Sequence, residues 1–203
     1  MFVLVATSIV SVAFMVERGL ALRRGKAVPP GLALALEDCQ NKEDLQGVKL
    51  LCQQQPSPLG RLALAAIEHL PWPKADNADS VQTRARQEVV LLERGLVVLE
   101  VIVGIAPLLG LVGTIHGLIT LFGDLGKTGL TDNAVMARGI AIALNTTLMG
   151  LLIAIPTLIA WSYYSKKVES IGVEMENLLD DFLRRQYRRP PSENPVPPVA
   201  VAR

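Results

Sequence analysis

Residues 95–122 read GLVVLEVIVGIAPLLGLVGTIHGLITLF and contain only two ionisable side chains, Glu100 and His116. A helix needs about 20 apolar residues to cross the hydrocarbon core of a bilayer, and a charge near its centre costs about 3 kcal/mol. A soluble domain of ordinary composition does not contain so long an apolar stretch. The stretch therefore predicts a transmembrane helix over residues 95–123.

Two further apolar runs flank this one. Residues 2–16 contain only small hydroxyl side chains as polar members, and residues 134–164 are long enough to span a bilayer. The segment 124–133 is short and contains glycine, so the second and third spans form an antiparallel hairpin. The predicted fold class is an all-α membrane protein with three transmembrane helices, 1–16, 95–123 and 134–164, and long helices extending into a helical cytoplasmic region.

The remaining segments carry most of the charge. The chain has 203 residues, of which 50% are hydrophobic and 19% charged, and its formal net charge is +1. Residues 17–94 mix both signs with Ala and Leu at helical spacing, which predicts a helical cytoplasmic region, with a turn over Asp76–Ser80. Residues 165–189 form a predicted C-terminal cytoplasmic helix, and the Pro-rich residues 190–203 a disordered tail. This charge pattern does not indicate a nucleic-acid partner.

Several kinds of chemistry lack support in the sequence. Cys39 and Cys52 lie thirteen positions apart with no CxxC motif or Cys/His cluster around them, so we expect two reduced thiols and no metal site. There is no nucleophile with a nearby base and no phosphate loop. We therefore expect the protein not to be an enzyme and to need no cofactor.

The distribution of Lys and Arg predicts the orientation in the membrane. Segment 17–94 contains eleven Lys and Arg residues, whereas the hairpin turn contains only Lys127. Positive charge accumulates on the cytoplasmic side, which places the large segment in the cytoplasm. Basic residues follow the first span rather than precede it, so we expect an uncleaved anchor with its N-terminus outside the cell membrane. The turn 124–133 then also lies outside, and the C-terminus is cytoplasmic.

Helical rotation places polar and small residues of the two long spans on one stripe each. Thr114 and Thr147 fall at similar depth, so both hydroxyls can face a common space. Two interpretations remain open: the stripes line a narrow ion path, or they only pack helices together. The stripe on the second span comprises Glu100, Val103, Pro107, Gly110, Thr114, Gly117 and Leu121, and the stripe on the third comprises Gly139, Ala143, Thr147, Gly150 and Ala154.

Three ionisable side chains in the spans have open roles. His116 lies about 200° around the helix from Thr114, so it is predicted to pack or hydrogen-bond elsewhere, with a proton relay as the alternative. Glu100 is either an exit-path carboxylate or an interfacial residue, and Arg138 snorkels or pairs with Asp132. Neither long span has a carboxylate near the bilayer centre. If the chain conducts an ion, we expect another polypeptide to bring the acid.

Two motifs in the long spans resemble a known family. Residues 106–119, APLLGLVGTIHGLI, together with Phe122, are similar to the APxxGLxGTVxGxxxxF signature of the MotA/TolQ/ExbB proton-channel family. Residues 139–151, GIAIALNTTLMGL, followed by Ala154-Ile155-Pro156, resemble its GIxxALxxTxxGLxxAIP motif. The Val16-Glu17-Arg18 sequence after the first span also looks like the family. Many ExbB and TolQ members have a glutamate where Ile142 stands and an aromatic residue where His116 stands.

The resemblance implies a ring-forming motor subunit of a bacterial inner (plasma) membrane, a homopentamer around a dimeric single-span partner of the ExbD/TolR type. The N-terminus and the turn 124–133 are then periplasmic. In the family, pore-facing threonines match Thr114 and Thr147, and an aspartate of the partner carries the proton. The implied coupling ion is H⁺, with Na⁺ the less favoured choice. Other implied partners are a TonB-like or Tol-Pal-like envelope protein and membrane lipids. The alternatives are a non-conducting membrane scaffold, or a flagellar-type stator subunit using H⁺ or Na⁺.

Overall fold

The computed structural model of the chain describes residues 2–39, 42–128 and 133–188, and all regular structure in these ranges is α-helical. The helices, in chain order, are α1 Phe2–Ala21, α2 Arg24–Ala27, α3 Pro30–Asp38, α4 Lys42–Gln54, α5 Pro58–Glu68, α6 Lys74–Glu93, α7 Leu96–Thr128 and α8 Asn133–Tyr187.

Three of these helices are long and apolar enough to cross a membrane. They are α1, the stretch Leu96–Gly126 of α7, and the stretch Ala134–Tyr187 of α8. Helix α8 continues far beyond its apolar part, because charged residues that favour helix follow from Lys166 onward. The predicted all-α fold with three spanning helices and long extensions is confirmed.

The helix ends differ in detail from the predicted segments. Helix α1 continues past Val16 to Ala21, because Glu17 and Arg18 are good helix formers. Helix α7 continues to Thr128, so residues 124–128 are helical rather than part of the predicted turn. Glycine at 123 and 126 costs a helix only about 1 kcal/mol per residue. Asn133 begins α8, so it is also helical rather than part of the turn. Turn residues 129–132, which include Asp132, and the predicted tail 190–203 lie outside the described residues.

The chain divides into two compact units. The membrane unit takes its described residues from Met1–Arg23 and Val89–Ser170, and the polar unit takes them from Arg24–Glu88 and Ile171–Arg203. The apolar parts of α1, α7 and α8 belong to the membrane unit, whereas residues 171–187 of α8 belong to the polar unit.

Within the membrane unit, α1 is held to α8 by both apolar and polar contacts. Leu22, the first residue after α1, is buried in a cluster with Leu96, Leu99 and Val168. Deeper in the span, the hydroxyls of Ser11 and Thr157 lie 2.6 Å apart, and both side chains are fully buried.

A second hydrogen bond identifies which hydroxyl of this pair is the donor. Thr157 Oγ1 donates its single hydrogen to the carbonyl of Ile153 at 2.6 Å. Ser11 is therefore the donor to Thr157. Thr7 bonds back to the Val3 carbonyl, as the sequence predicts for small hydroxyls, but Ser11 bonds to another helix instead.

The polar unit has its own apolar core. Ser57 caps α5 by accepting from the Gly60 N–H at 3.0 Å, and Pro58 occupies the first helical turn. Arg61 and Glu88 form a bidentate, partly buried ion pair that raises the pKa of the Arg61 guanidinium. The buried core side chains include Leu59, Leu62, Met175, Leu179 and Phe182.

The predicted turn over Asp76–Ser80 is wrong, because these residues form the first turns of α6. Asp76 is favourable near the positive end of that helix. Asn77 is fully buried, and its amide donates to the Ala66 carbonyl at 3.0 Å and to the Tyr187 hydroxyl at 3.1 Å. These tertiary bonds satisfy the amide nitrogen of a side chain that would otherwise favour a turn, whereas its buried Oδ1 accepts no hydrogen bond within the described part of the chain.

Cys52 is a buried thiol, and burial raises its pKa to about 11. Thiolate is the reactive form, so at pH 8 ionisation alone makes Cys52 about 100-fold less reactive than a thiol with pKa 9.0. We expect alkylation of Cys52 in a Cys39→Ser variant to be at least that much slower in the folded protein than after unfolding in detergent and urea. Because the folded pKa is raised, the neutral thiol's contribution to stability is complete below about pH 9 and is lost as the pH rises towards 11. Equal alkylation rates in the two states would contradict this environment.

Candidate functional site

Helices α7 and α8 approach each other along a seam of small residues. A Cβ added at Gly150 would lie 2.6 Å from the Ala106 carbonyl oxygen, and one at Gly110 would lie 2.9 Å from the Thr146 carbonyl oxygen. A Cβ at Gly117 would lie 3.0 Å from that of Ala143. These distances leave no room for side chains, so the two backbones are in direct contact.

Three threonine hydroxyls meet in the middle of this seam. Thr114 is buried at 8% exposure, and its hydroxyl is hydrogen-bonded to that of Thr147 and lies 3.2 Å from that of Thr146. The Thr114 oxygen is also 3.0 Å from the Ala143 carbonyl and 3.2 Å from the Gly110 carbonyl. The structure thus brings together the two threonines selected from the sequence. We call Thr114, Thr146 and Thr147 the hydroxyl cluster.

Thr146 was not selected from the sequence, although it is a full member of the cluster. Its hydroxyl donates to the Ala143 carbonyl at 2.7 Å or to the Gly110 carbonyl at 3.2 Å. The signal was present, because Thr146 lies three residues after Ala143 and four before Gly150, and these spacings share a helix face. The predicted stripe on the third span contains Thr147, and for that reason it left out the adjacent Thr146.

The other selected residues divide between the seam and the surface. Gly139 meets the Leu121 side chain, with a Cβ at Gly139 lying 2.6 Å from Leu121 Cδ1, and Pro107 is half-buried inside α7. The side chain of Glu100 is exposed and is not part of the hydroxyl cluster. His116 and Arg138 are also exposed in the single chain. For His116 this agrees with the predicted rotation away from Thr114.

The cluster has a defined chemical capacity. Each hydroxyl donates one hydrogen and accepts two, and two backbone carbonyls serve as alternative acceptors. The hydrogen bonds among the three hydroxyls can therefore reverse their donor and acceptor roles, although the cluster contains no ionisable group. Glu100 lies fourteen residues before Thr114, about 21 Å along the helix, too far for direct proton exchange.

The profile of the MotA/TolQ/ExbB proton channel family matches residues 54–177, more than half of the chain. The chain belongs to this family. The resemblance of the motifs in α7 and α8 is thereby confirmed, and the matched segment contains the whole hydroxyl cluster. The MotA/TolQ/ExbB proteins form a family of membrane transport and channel proteins rather than of enzymes.

Individual members of the MotA/TolQ/ExbB family align over different lengths. The biopolymer transport protein ExbB of Helicobacter pylori is 41% identical over 81 residues, which are 40% of this chain and 56% of that protein. The putative ExbB-like 1 protein of a Synechocystis species is 31% identical over 192 residues, covering 87% of this chain and 73% of the relative. TolQ of Haemophilus influenzae is 31% identical over 103 residues, 51% of this chain and 45% of TolQ. This chain spans about half the length of several relatives it matches.

Proposed function

We propose that the chain is the ring-forming subunit of an inner-membrane motor driven by the proton-motive force, of the ExbB/TolQ type. It conducts protons together with a dimeric single-span partner of the ExbD/TolR type and powers transport or envelope work at the outer membrane. The observation that carries this proposal is the hydroxyl cluster in the seam between two spanning helices of a proton channel family member.

The cluster supports an indirect role in proton movement. Its hydroxyls can orient water or a partner's carboxylate, but a threonine does not titrate at physiological pH. The titrating acid therefore comes from the partner, whose aspartate would reach the depth of Thr114. Thr114 and Thr147 line the path, Thr146 joins them, and Glu100 is placed towards the cytoplasmic exit. H⁺ is the coupling ion in this proposal, and Na⁺ is the alternative.

The proposed arrangement in the cell follows from charge. The N-terminus of α1 lies in the periplasm and the polar unit lies in the cytoplasm, because the basic residues concentrate in segment 17–94. The subunits form a homopentamer around the partner's spanning helices, in contact with membrane lipids. A TonB-like or Tol-Pal-like envelope protein receives the work.

A second candidate is supported by the same seam. The contacts of Gly110 and Gly150 with backbone atoms support a role of the small residues in packing α7 against α8 within one chain. A scaffold that only packs helices would need nothing more. Ion dependence separates the two, because a scaffold keeps its cellular function in the presence of an uncoupler, whereas a proton-driven motor stops.

Co-expression tests the assembly that the proposal requires. The chain would be purified with a candidate single-span, aspartate-bearing partner, and the native mass of the complex measured in mild detergent. We expect a ring of five copies that retains two partner chains. A partner-free monomer or dimer that persists across several mild detergents would contradict the motor and favour the scaffold.

A further inference from the structure

Arg18 has an unusual position at the end of α1. It belongs to the Val16-Glu17-Arg18 sequence, to which the proposed function gives no role. Its side chain is only 17% exposed, although arginine is normally among the most exposed residues. The guanidinium bonds to the neighbouring Glu17 carboxylate, at 2.6 Å to one oxygen and 3.3 Å to the other.

The guanidinium of Arg18 lies against a glycine, Gly95, at a break between two helices. Helix α6 ends at Glu93 and α7 begins at Leu96, and Gly95 is buried between them. A Cβ at Gly95 would overlap Cζ and Nε of Arg18 and would come within 2.7 Å of its Nη1. The guanidinium therefore occupies the space that the missing side chain leaves.

The charge of Arg18 suits this place. The last carbonyls of α6 have no donor within their own helix, and the negative end of the helix dipole attracts a cation. Immediately beyond the break, Leu96 and Leu99 pack with Leu22, which lies four residues after Arg18 and directly follows α1. The end of α1 thus contacts both the break and the first turn of α7.

A small change in helix direction at the break displaces the far end of α7 by a larger distance. Thr114 lies eighteen residues after Leu96, about 27 Å up the helix. A tilt of about 10° at the start of a rod of that length moves its far end by about 5 Å. Contacts that fix the start of α7 therefore help to fix where the hydroxyl cluster lies.

We infer that Arg18 is a positioning residue: its guanidinium fills the space beside Gly95 and holds the break between α6 and α7 in a single geometry. The inference concerns how α7 is anchored and stands without the proposed function. Only its consequence for proton flux rests on that function.

The pair permits a sharp test, because Gly95→Ala displaces the guanidinium without removing it. Three variants, Arg18→Ala, Gly95→Ala and the double variant, would be purified with the partner and compared by backbone amide exchange over residues 96–103. We expect exchange to be about tenfold faster than in the wild type in each single variant. The double variant should exchange no faster than the single variants, because both changes break the same contact. Effects that multiply in the double variant, or unchanged exchange in either single variant, would overturn the inference.

Two matched controls come from the same chain. A Cβ at Gly104 in α7 would meet nothing within 4 Å, and Arg23 is exposed. Arg23→Ala should exchange at the wild-type rate, and Gly104→Ala at that rate or more slowly, because alanine favours helix more than glycine does. If Gly95→Ala fails to assemble, the double variant should recover assembly, because Arg18→Ala frees the space that the new Cβ needs. Failure of that recovery would also overturn the inference.

Proton flux gives a readout that general stability does not change. In rings of unchanged mass, we expect Arg18→Ala and Gly95→Ala to lower flux per ring several-fold. Arg18→Lys keeps the charge but not the planar fork, so it should restore no more than about half of the loss. Full restoration by lysine would show that charge alone matters and would overturn the positioning role. A wild-type complex without flux would refute the proposed function, and amide exchange would still decide the inference.

Discussion

A Gly150→Ala variant is expected to lose about 3 kcal/mol of stability, at the upper end of the usual cost of overpacking, and to assemble poorly. The added Cβ would lie 2.6 Å from the Ala106 carbonyl oxygen, 3.2 Å from Gly110 Cα and 3.3 Å from Gly110 N. All three atoms belong to backbone, so no flexible side chain can move aside. The two helices must separate, and the contacts on both sides of the seam are lost together.

The measurement is unfolding of the purified chain in mixed detergent micelles, followed by far-ultraviolet circular dichroism. Gly104→Ala is the matched control in the same pair of helices, since its Cβ enters open space. Alanine has the higher helix propensity, so Gly104→Ala should be neutral or more stable by up to about 1 kcal/mol. Equal stability of the Gly150 and Gly104 variants would show that the seam is looser than described.

Replacing both Thr114 and Thr147 by valine is expected to abolish proton-dependent work while leaving the ring intact. Valine preserves the shape of threonine and removes only the hydroxyl. Two hydrogen bonds of about 1 to 1.5 kcal/mol each correspond to a loss of about 30- to 150-fold in rate if both act on the moving proton. The backbone carbonyls nearby keep their helical donors, so packing of the seam should persist.

Thr120→Val provides the control for this double variant. Thr120 is exposed, and its hydroxyl bonds to the carbonyl of His116 in its own helix at 3.0 Å. Flux through the Thr120 variant should equal that of the wild type, and native mass should be the same for all three proteins. Undiminished flux in the Thr114/Thr147 variant would exclude the hydroxyl cluster from the proton path.

The sequence was sufficient to predict the three spans and the seam between α7 and α8. Apolar length identifies a span, and a 3.6-residue period places Gly110 and Thr114 on one face without knowledge of the partner helix. An antiparallel hairpin then fixes which residues share a depth. For that reason the pairing of Thr114 with Thr147 was predictable.

Other contacts depend on which faces of two helices meet and on how the helices pack, and no local sequence pattern encodes either. The bond between Ser11 and Thr157 needs the face of α1 that meets α8, and most small hydroxyls in a span bond to their own helix. Asn77 has turn chemistry when considered alone, but burial against Ala66 and Tyr187 places it in a helix. In the sequence, Arg18 has the pattern of an ordinary charged residue at the membrane interface. Only the structure shows that its guanidinium occupies the space beside Gly95.

The most direct test of the proposed function is proton uptake by sealed vesicles under an imposed membrane potential. Vesicles would contain the chain alone, the chain with its single-span partner, or the chain with a partner whose spanning aspartate is changed to asparagine. We predict uptake only with the intact partner, because the hydroxyl cluster contains no titrating acid. Equal uptake in all three preparations, or none in any of them, would contradict the account.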